Sequence, residues 1–239
     1  MALDLGSYDV LTFDCYGTLI DWESGILTAL RPLLARHDVA LSDEQVLERF
    51  AALESRAELP PYRPYREVLA RVVDGFGREL GFAPTPAERA ALAESVASWP
   101  AFPDTAAALQ ALARHDKLAI LSNVDDDLFA GSARRLGVEF AAVVTAQQVG
   151  SYKPDPRNFA RLIARIGVPR ERILHVAQSL FHDIAPARDA GLATVWVNRR
   201  HDRRGPGATP AASAEPDLEV PDLATLARLV DAARPAGTR

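Results

Sequence analysis

Four stretches of this chain end in residues able to do covalent chemistry. The apolar run Tyr8, Val10, Leu11, Phe13 ends at Asp14 and is followed by a turn at Gly17-Thr18. Leu118 to Leu121 ends at Ser122-Asn123, and a loop carries Lys153-Pro154-Asp155. Ile173 to Ala177 leads to Gln178-Ser179, with His182-Asp183 just beyond. A carboxylate, a hydroxyl, an ammonium and a second carboxylate can converge on one crevice. Chemistry open to such a set is nucleophilic attack by a carboxylate, with a nearby cation favouring its charged form. Their separation in sequence is no obstacle. Open parallel sheets gather ligands at the carboxyl ends of their strands, and each of these groups follows its own strand.

The elements that must position them read as an α/β chain with one interruption. After the first strand come four helical segments with no strand between them. Ile26 to His37 carries Leu30, Leu33 and Leu34 on one stripe, and Asp43 to Leu59 repeats Val46, Leu47, Phe50 and Leu53. Tyr65 to Leu80 carries Val68, Leu69, Val72, Val73 and Phe76 at helical spacing. Thr85-Pro86-Ala87-Glu88 opens the fourth as a capping box with proline at its first position. From Asp104 the pattern alternates. A helix to His115 is followed by a strand at Leu118 to Leu121, a helix from Asp125 to Leu136 and a strand at Ala142 to Thr145. A helix from Pro156 to Ile166 then leads to strands at Ile173 to Ala177 and Thr194 to Val197. Such alternation implies a doubly wound parallel, Rossmann-like sheet. Residues 1–20 and 101–239 are expected to form this core, and residues 21–100 an all-helical cap inserted after the first strand. Arg203 to Pro216, rich in Gly, Pro and Ala, reads as a mobile loop.

Bulk properties exclude several classes. The net charge is −5 over 239 residues and no Lys/Arg-rich block stands out, so nucleic acid is not an expected partner. Arg199, Arg200, Arg203 and Arg204 cluster around Asp202 and read as a solvated loop. No run approaches the roughly 20 apolar residues of a membrane span. Met1 to Asp9 does not read as a secretory signal. Cys15 is the single cysteine, so no internal disulfide can form, which suits a cytoplasmic location. Strand alternation points its side chain opposite Asp14 and Tyr16.

Phe13-Asp14-Cys15-Tyr16-Gly17-Thr18-Leu19 resembles the first motif of the haloacid dehalogenase superfamily. Ser122-Asn123 resembles the second, Tyr152-Lys153-Pro154-Asp155 the third, and the acid of His182-Asp183-Ile184 the fourth. Four motifs in order on the right elements carry far more weight than any one alone. The superfamily's phosphatases place a general-acid Asp two residues after the nucleophile. Here that residue is Tyr16, and a phenol with a pKa of about 10 does not fill the role. Asp-x-Tyr-Gly-Thr is similar to the (S)-2-haloacid dehalogenase branch, where a departing halide needs no proton.

The resemblance implies that Asp14 displaces halide from a small 2-halo acid to give an aspartyl ester, which water hydrolyses to a 2-hydroxy acid. It assigns catalysis to Asp14, Thr18, Ser122, Lys153 and Asp183. Substrate and halide binding fall to Cys15 and Tyr16, with Arg49, Asn123, Ser179 and His182. Backbone N–H groups after Asp14 would cradle the substrate carboxylate. Arg49, four residues before Leu53-Glu54, matches the cap arginine that receives the halide. No metal and no cofactor are expected, the partner is a small carboxylate, and a homodimer is implied. The chain departs from the branch at Phe159, where a tyrosine is expected, and at Gln178-Ser179-Leu180, which replaces Ser-Ser-Asn. His182 is placed to replace a lost hydrogen bond. Three alternatives stay open: a magnesium-dependent phosphatase, a relative acting on fluoroacetate or a strained-ring amino acid, and a catalytically silent binding protein.

Overall fold

The computed structural model describes residues 3–202 and 207–234. A six-stranded sheet in the order β3-β2-β1-β4-β5-β6 runs through it, every pairing parallel. The strands are β1 (Val10–Phe13), β2 (Lys117–Ser122), β3 (Ala142–Thr145), β4 (Ile173–Ala177), β5 (Ala193–Val197) and β6 (Leu218–Val220). All of β1 is buried, as a central strand covered on both faces requires. Its neighbours β2 and β4 carry Ser122 and the segment beyond Ala177, so Asp14 lies at the middle of the sheet's carboxyl edge.

Four helices separate β1 from the rest of the sheet: α1 (Trp22–Arg36), α2 (Asp43–Ala57), α3 (Tyr65–Leu80) and α4 (Pro86–Ser95). Capping boxes at Ser42/Gln45 and Thr85/Glu88 fix the starts of α2 and α4. Apolar faces then pack them: Phe50 meets Trp22 edge-on at 5.8 Å, and Gly25 lets Trp99 close against α1, since a Cβ there would lie 2.3 Å from the indole. The remaining helices are α5 (Thr105–Leu112), α6 (Asp126–Leu136), α7 (Ala146–Val149), α8 (Pro156–Ile166), α9 (Ala185–Asp189) and α10 (Leu223–Ala233), with a π-helical turn at Leu180–Ile184. No helix among the described residues is long and apolar enough to cross a membrane.

Several acids that look like local caps act at long range. Asp104 does not cap α5. It accepts from the backbone N–H of Leu223 (2.8 Å) at the start of α10 and from Arg199 Nη1 (2.8 Å). Asp125, 3% exposed, accepts from the backbone N–H groups of Tyr65 (2.9 Å) and Arg66 (3.0 Å), which nails the start of α3 to the loop after β2. The arginine cluster is not a solvated loop either. The Arg199 side chain is 7% exposed, donating to the Thr18 carbonyl and stacking 4.1 Å from the centre of Phe102, and Arg200 pairs with Glu23. Arg203 and Arg204 lie outside the described residues. Part of the segment read as a mobile loop is packed: Ala208 and Thr209 are buried, Ala208 N donates to Glu23, and Thr209 donates to Gln178.

Candidate active site

At the carboxyl edge of β1 a narrow cleft opens between the sheet and the helices α1 to α3. Asp14 forms its floor. Gly17, at φ 93°, turns the chain back beneath it; a Cβ there would come within 3.0 Å of Trp22 and 3.2 Å of Gln178, so only glycine fits. That turn delivers Thr18, whose hydroxyl donates to Asp14 Oδ2 at 2.7 Å while accepting from the Gln178 N–H at 2.9 Å.

Lys153 reaches the other oxygen. Its buried ammonium donates to Asp14 Oδ1 (2.9 Å), Asp183 Oδ1 (2.6 Å) and the Leu121 carbonyl (3.0 Å). An ammonium has three hydrogens, and all three are engaged. Asn123 holds the lysine backbone from both sides, accepting from Lys153 N at 2.7 Å and donating to Lys153 O at 3.1 Å. Behind Asp183 stands His175, buried in β4 and 3.1 Å from Asp183 Oδ1, with Thr12 at 2.8 Å from its other nitrogen. Burial pushes the Asp14 carboxyl up, and Lys153 and Thr18 pull against it. Burial acts on Asp183 in the same sense, but Lys153 and His175 overcome it and hold this carboxyl below its usual range. Burial would discharge Lys153, yet the two carboxylates hold its pKa above normal, so the ammonium stays charged. Ser122 Oγ and Asp183 Oδ2 are buried here without a hydrogen-bond partner in the protein. Both are positioned to receive a substrate or a water.

The other predicted residues divide. Tyr16 lines the cleft, but its hydroxyl is 2.9 Å from Ser132 and its ring stands edge-on to Trp99. Ser179 lines it too, with its hydroxyl accepting from His182 N at 2.8 Å as the cap of the π-helical turn. Burial lowers the His182 pKa to about 4, so the ring is neutral near pH 7. Cys15 is fully buried and not part of the lining, and burial raises its thiol pKa well above normal. Phe159 is buried beside His175, ring centres 5.1 Å apart, and does not line the cleft.

Arg49 requires a correction. It is not in the cleft. It lies against Glu79 of α3, 3.8 Å away, with about a third of its side chain exposed. The helix turns Glu54 inward instead, with Glu58 following at its end. Residues 49 and 54 sit roughly 140° apart around a helix, so only one of them can face the substrate. Arg49→Ala is therefore expected to keep kcat and KM within about threefold of wild type, and a hundredfold loss of turnover would restore the arginine to the site. Besides Glu54 and Glu58, sequence reasoning missed Tyr65, Trp22 and Thr209 in the lining, and His175 behind it. His175 did leave a signal, a lone imidazole inside an otherwise apolar strand.

A model of the haloacid dehalogenase-like hydrolase family matches residues 8–191. The chain belongs to that family. Among curated relatives, it is 34% identical over 165 residues to a phosphoserine phosphatase of Thermus thermophilus, covering 67% of this chain and 63% of that protein, a little under two thirds of its length. It is 25% identical over 229 residues to haloacetate dehalogenase H-2 of Moraxella sp., covering 93% and 97%. Among solved structures, an L-2-haloacid dehalogenase superposes with a TM-score of 0.79 at 24% identity, over 94% of this chain and 99% of the other. The shared architecture is the parallel sheet core with a helical cap.

The family's phosphatases raise the question of a metal bridging Asp14 and Asp183. The residues do not fit one well. The position between the two Oδ1 atoms is taken by the Lys153 ammonium, and among the described residues no three acid, imidazole or thiol side chains are spaced to hold a metal ion.

Proposed function

We propose that this chain is a hydrolytic dehalogenase of small 2-halo carboxylic acids that works through an ester on Asp14. One observation carries the reading. Asp14 is an almost fully buried carboxylate, oriented through both oxygens, and the residue two positions on is a tyrosine already bonded to Ser132. The site has a nucleophile and no general acid at the place where a phosphatase keeps one.

An Asp14 oxygen attacks C2 of the substrate, a C–O bond forms, and halide leaves with the pair of the C–X bond. Lys153 and Thr18 fix the direction of attack, and the desolvated carboxylate is more reactive for being buried. Ser122 Oγ and the backbone N–H groups of Cys15 and Tyr16 receive the substrate carboxylate. Water, guided by Asp183 Oδ2, then adds to the ester carbonyl. The acyl C–O bond to the substrate breaks, giving the 2-hydroxy acid, a free Asp14 and one proton. No step passes through a metal. The resemblance implies a homodimer, which sedimentation would reveal as twice the 25.9 kDa chain, and the lone buried thiol suits a reducing cytoplasm.

A single turnover in ¹⁸O-water tests the ester. Because water attacks the acyl carbon, the label is expected in the peptide containing Asp14, read by mass spectrometry, and not in the first hydroxy acid released. Halide release is expected to be unchanged by EDTA. Label appearing first in product, or a rate abolished by EDTA and restored by magnesium, would sink the reading.

A further inference from the structure

Among the described residues the cleft is lined by four carboxyl groups and one cation. Asp14, Asp183, Glu54 and Glu58 line it together with Lys153. Lys153 has no hydrogen left to offer, so among the described residues of the lining nothing cationic is available to a departing anion. His182 is neutral near pH 7. Glu54 is 4% exposed. Its Oε1 accepts from the Tyr65 hydroxyl at 2.5 Å, and Tyr65 is itself fixed by Asp125, so Oε2 is the oxygen free to face the substrate. On the opposite wall Ser122 Oγ and Asp183 Oδ2, on residues each 1% exposed, lack partners and mark where the ligand lies.

A substrate carboxylate would bring a further negative charge into this space. Five carboxylates against one ammonium is untenable in a desolvated cleft, so the cap acids must carry protons when substrate is bound. Burial raises the Glu54 pKa to about 8, and burial together with Glu54 raises that of Glu58 well above normal. A neutral carboxylic acid donates a strong hydrogen bond where an ionised one only accepts.

We propose that Glu54, as the neutral acid, donates a hydrogen bond to the leaving group, and that the cleft is built for 2-fluoro acids. This rests on Asp14 being the nucleophile of the same cleft. Among halides, fluoride is the strongest hydrogen-bond acceptor and the worst unaided leaving group, so it gains most from a proton donor. As Asp14 forms its bond to C2, the C–F pair passes to fluorine and the Glu54 proton is shared with it. The carboxylic acid is the weaker acid of the two, so the proton is back on Glu54 once fluoride departs as the anion.

Fluoride, chloride and bromide release from the 2-halopropionates tests this across pH. Wild-type fluoride turnover is expected to fall as pH rises through about 8, where Glu54 ionises. Glu54→Gln keeps the shape but replaces the acid O–H with a weaker amide N–H donor that does not titrate, so the fluoride-to-bromide ratio of kcat should fall at least about tenfold, with the limb near pH 8 gone. Tyr65→Phe removes a hydrogen bond that favours the ionised acid, so the limb should move to higher pH, a shift that a purely structural role would not produce. An unchanged ratio in Glu54→Gln, a retained limb, or a wild type that releases bromide but not fluoride overturns the proposal and leaves the Asp14 reading standing. Release of no halide at all overturns the Asp14 reading itself.

Discussion

Asp14→Asn is expected to abolish turnover, by more than about a thousandfold, in a protein that still folds. The amide occupies the same volume and its single oxygen can still accept from Lys153, while the bond that Thr18 makes to the other oxygen is lost, so the packing at the sheet edge is largely preserved. It cannot form the ester, because an amide oxygen is a far weaker nucleophile than a carboxylate. The substitution also removes one of the two negative charges that hold Lys153 charged. Stability therefore changes little, while chemistry stops. In the wild type the Asp14 pKa lies above its usual value, so turnover should fall on acidification at a pH higher than a free aspartate would give. The test is halide release by enzyme with a circular-dichroism spectrum and melting temperature close to wild type, freshly purified to exclude deamidation back to Asp. Activity within tenfold of wild type would remove Asp14 from the nucleophile's role.

The groups of the candidate site that stand on the sheet were legible because each closes a short segment whose type is unambiguous. A buried strand has a definite end, and Asp14, Ser122 and the acid beyond Ala177 lie at or just past such ends. β3, β4 and helix α8 carry the same boundaries as their sequence patterns. The cap wall was not legible, for a geometrical reason. Arg49 and Glu54 share one helix, and the sequence says that α2 is amphipathic but not how it is rolled against α1 and α3. That roll depends on Phe50 meeting Trp22 and on Tyr65 being held by Asp125, contacts between residues far apart in the chain. β6 escaped because three residues, one of them buried, give no period to read. Thr209 escaped because a segment rich in Gly, Pro and Ala can pack tightly as well as move. Asn123 was found, but its amide is engaged with the Lys153 backbone on both sides rather than presented to halide.

Lys153→Met should reduce turnover at least as far as losing Asp14 does, and unlike that change it should also weaken the fold. The residue is 2% exposed and its ammonium is the common partner of two buried carboxylates. Methionine fills the space of the stem but leaves Asp14 and Asp183 facing each other without a counterion. Removing one partner from a buried ion pair typically costs about 3–5 kcal/mol, because the remaining charge is stranded. The protein's easiest relief is to bind a proton between the two acids, which extinguishes the nucleophile near neutral pH. The sign of the pH dependence follows. In the variant, folded-state carboxyl pKa values lie above their unfolded values, so the destabilisation is full at high pH and relieved as pH falls through them. In the wild type, Asp183 titrates below its usual value, so its contribution to stability is present at neutral pH and is lost on acidification. The gap in melting temperature between the two proteins should therefore narrow from pH 8 to pH 5. Lys153→Arg should recover part of the stability and little of the rate, since a planar guanidinium cannot aim donors at Asp14, Asp183 and the Leu121 carbonyl at once. A methionine variant that keeps a tenth of the wild-type rate, or whose melting deficit is constant over that pH range, would mean that Lys153 does not set the charge state of Asp14.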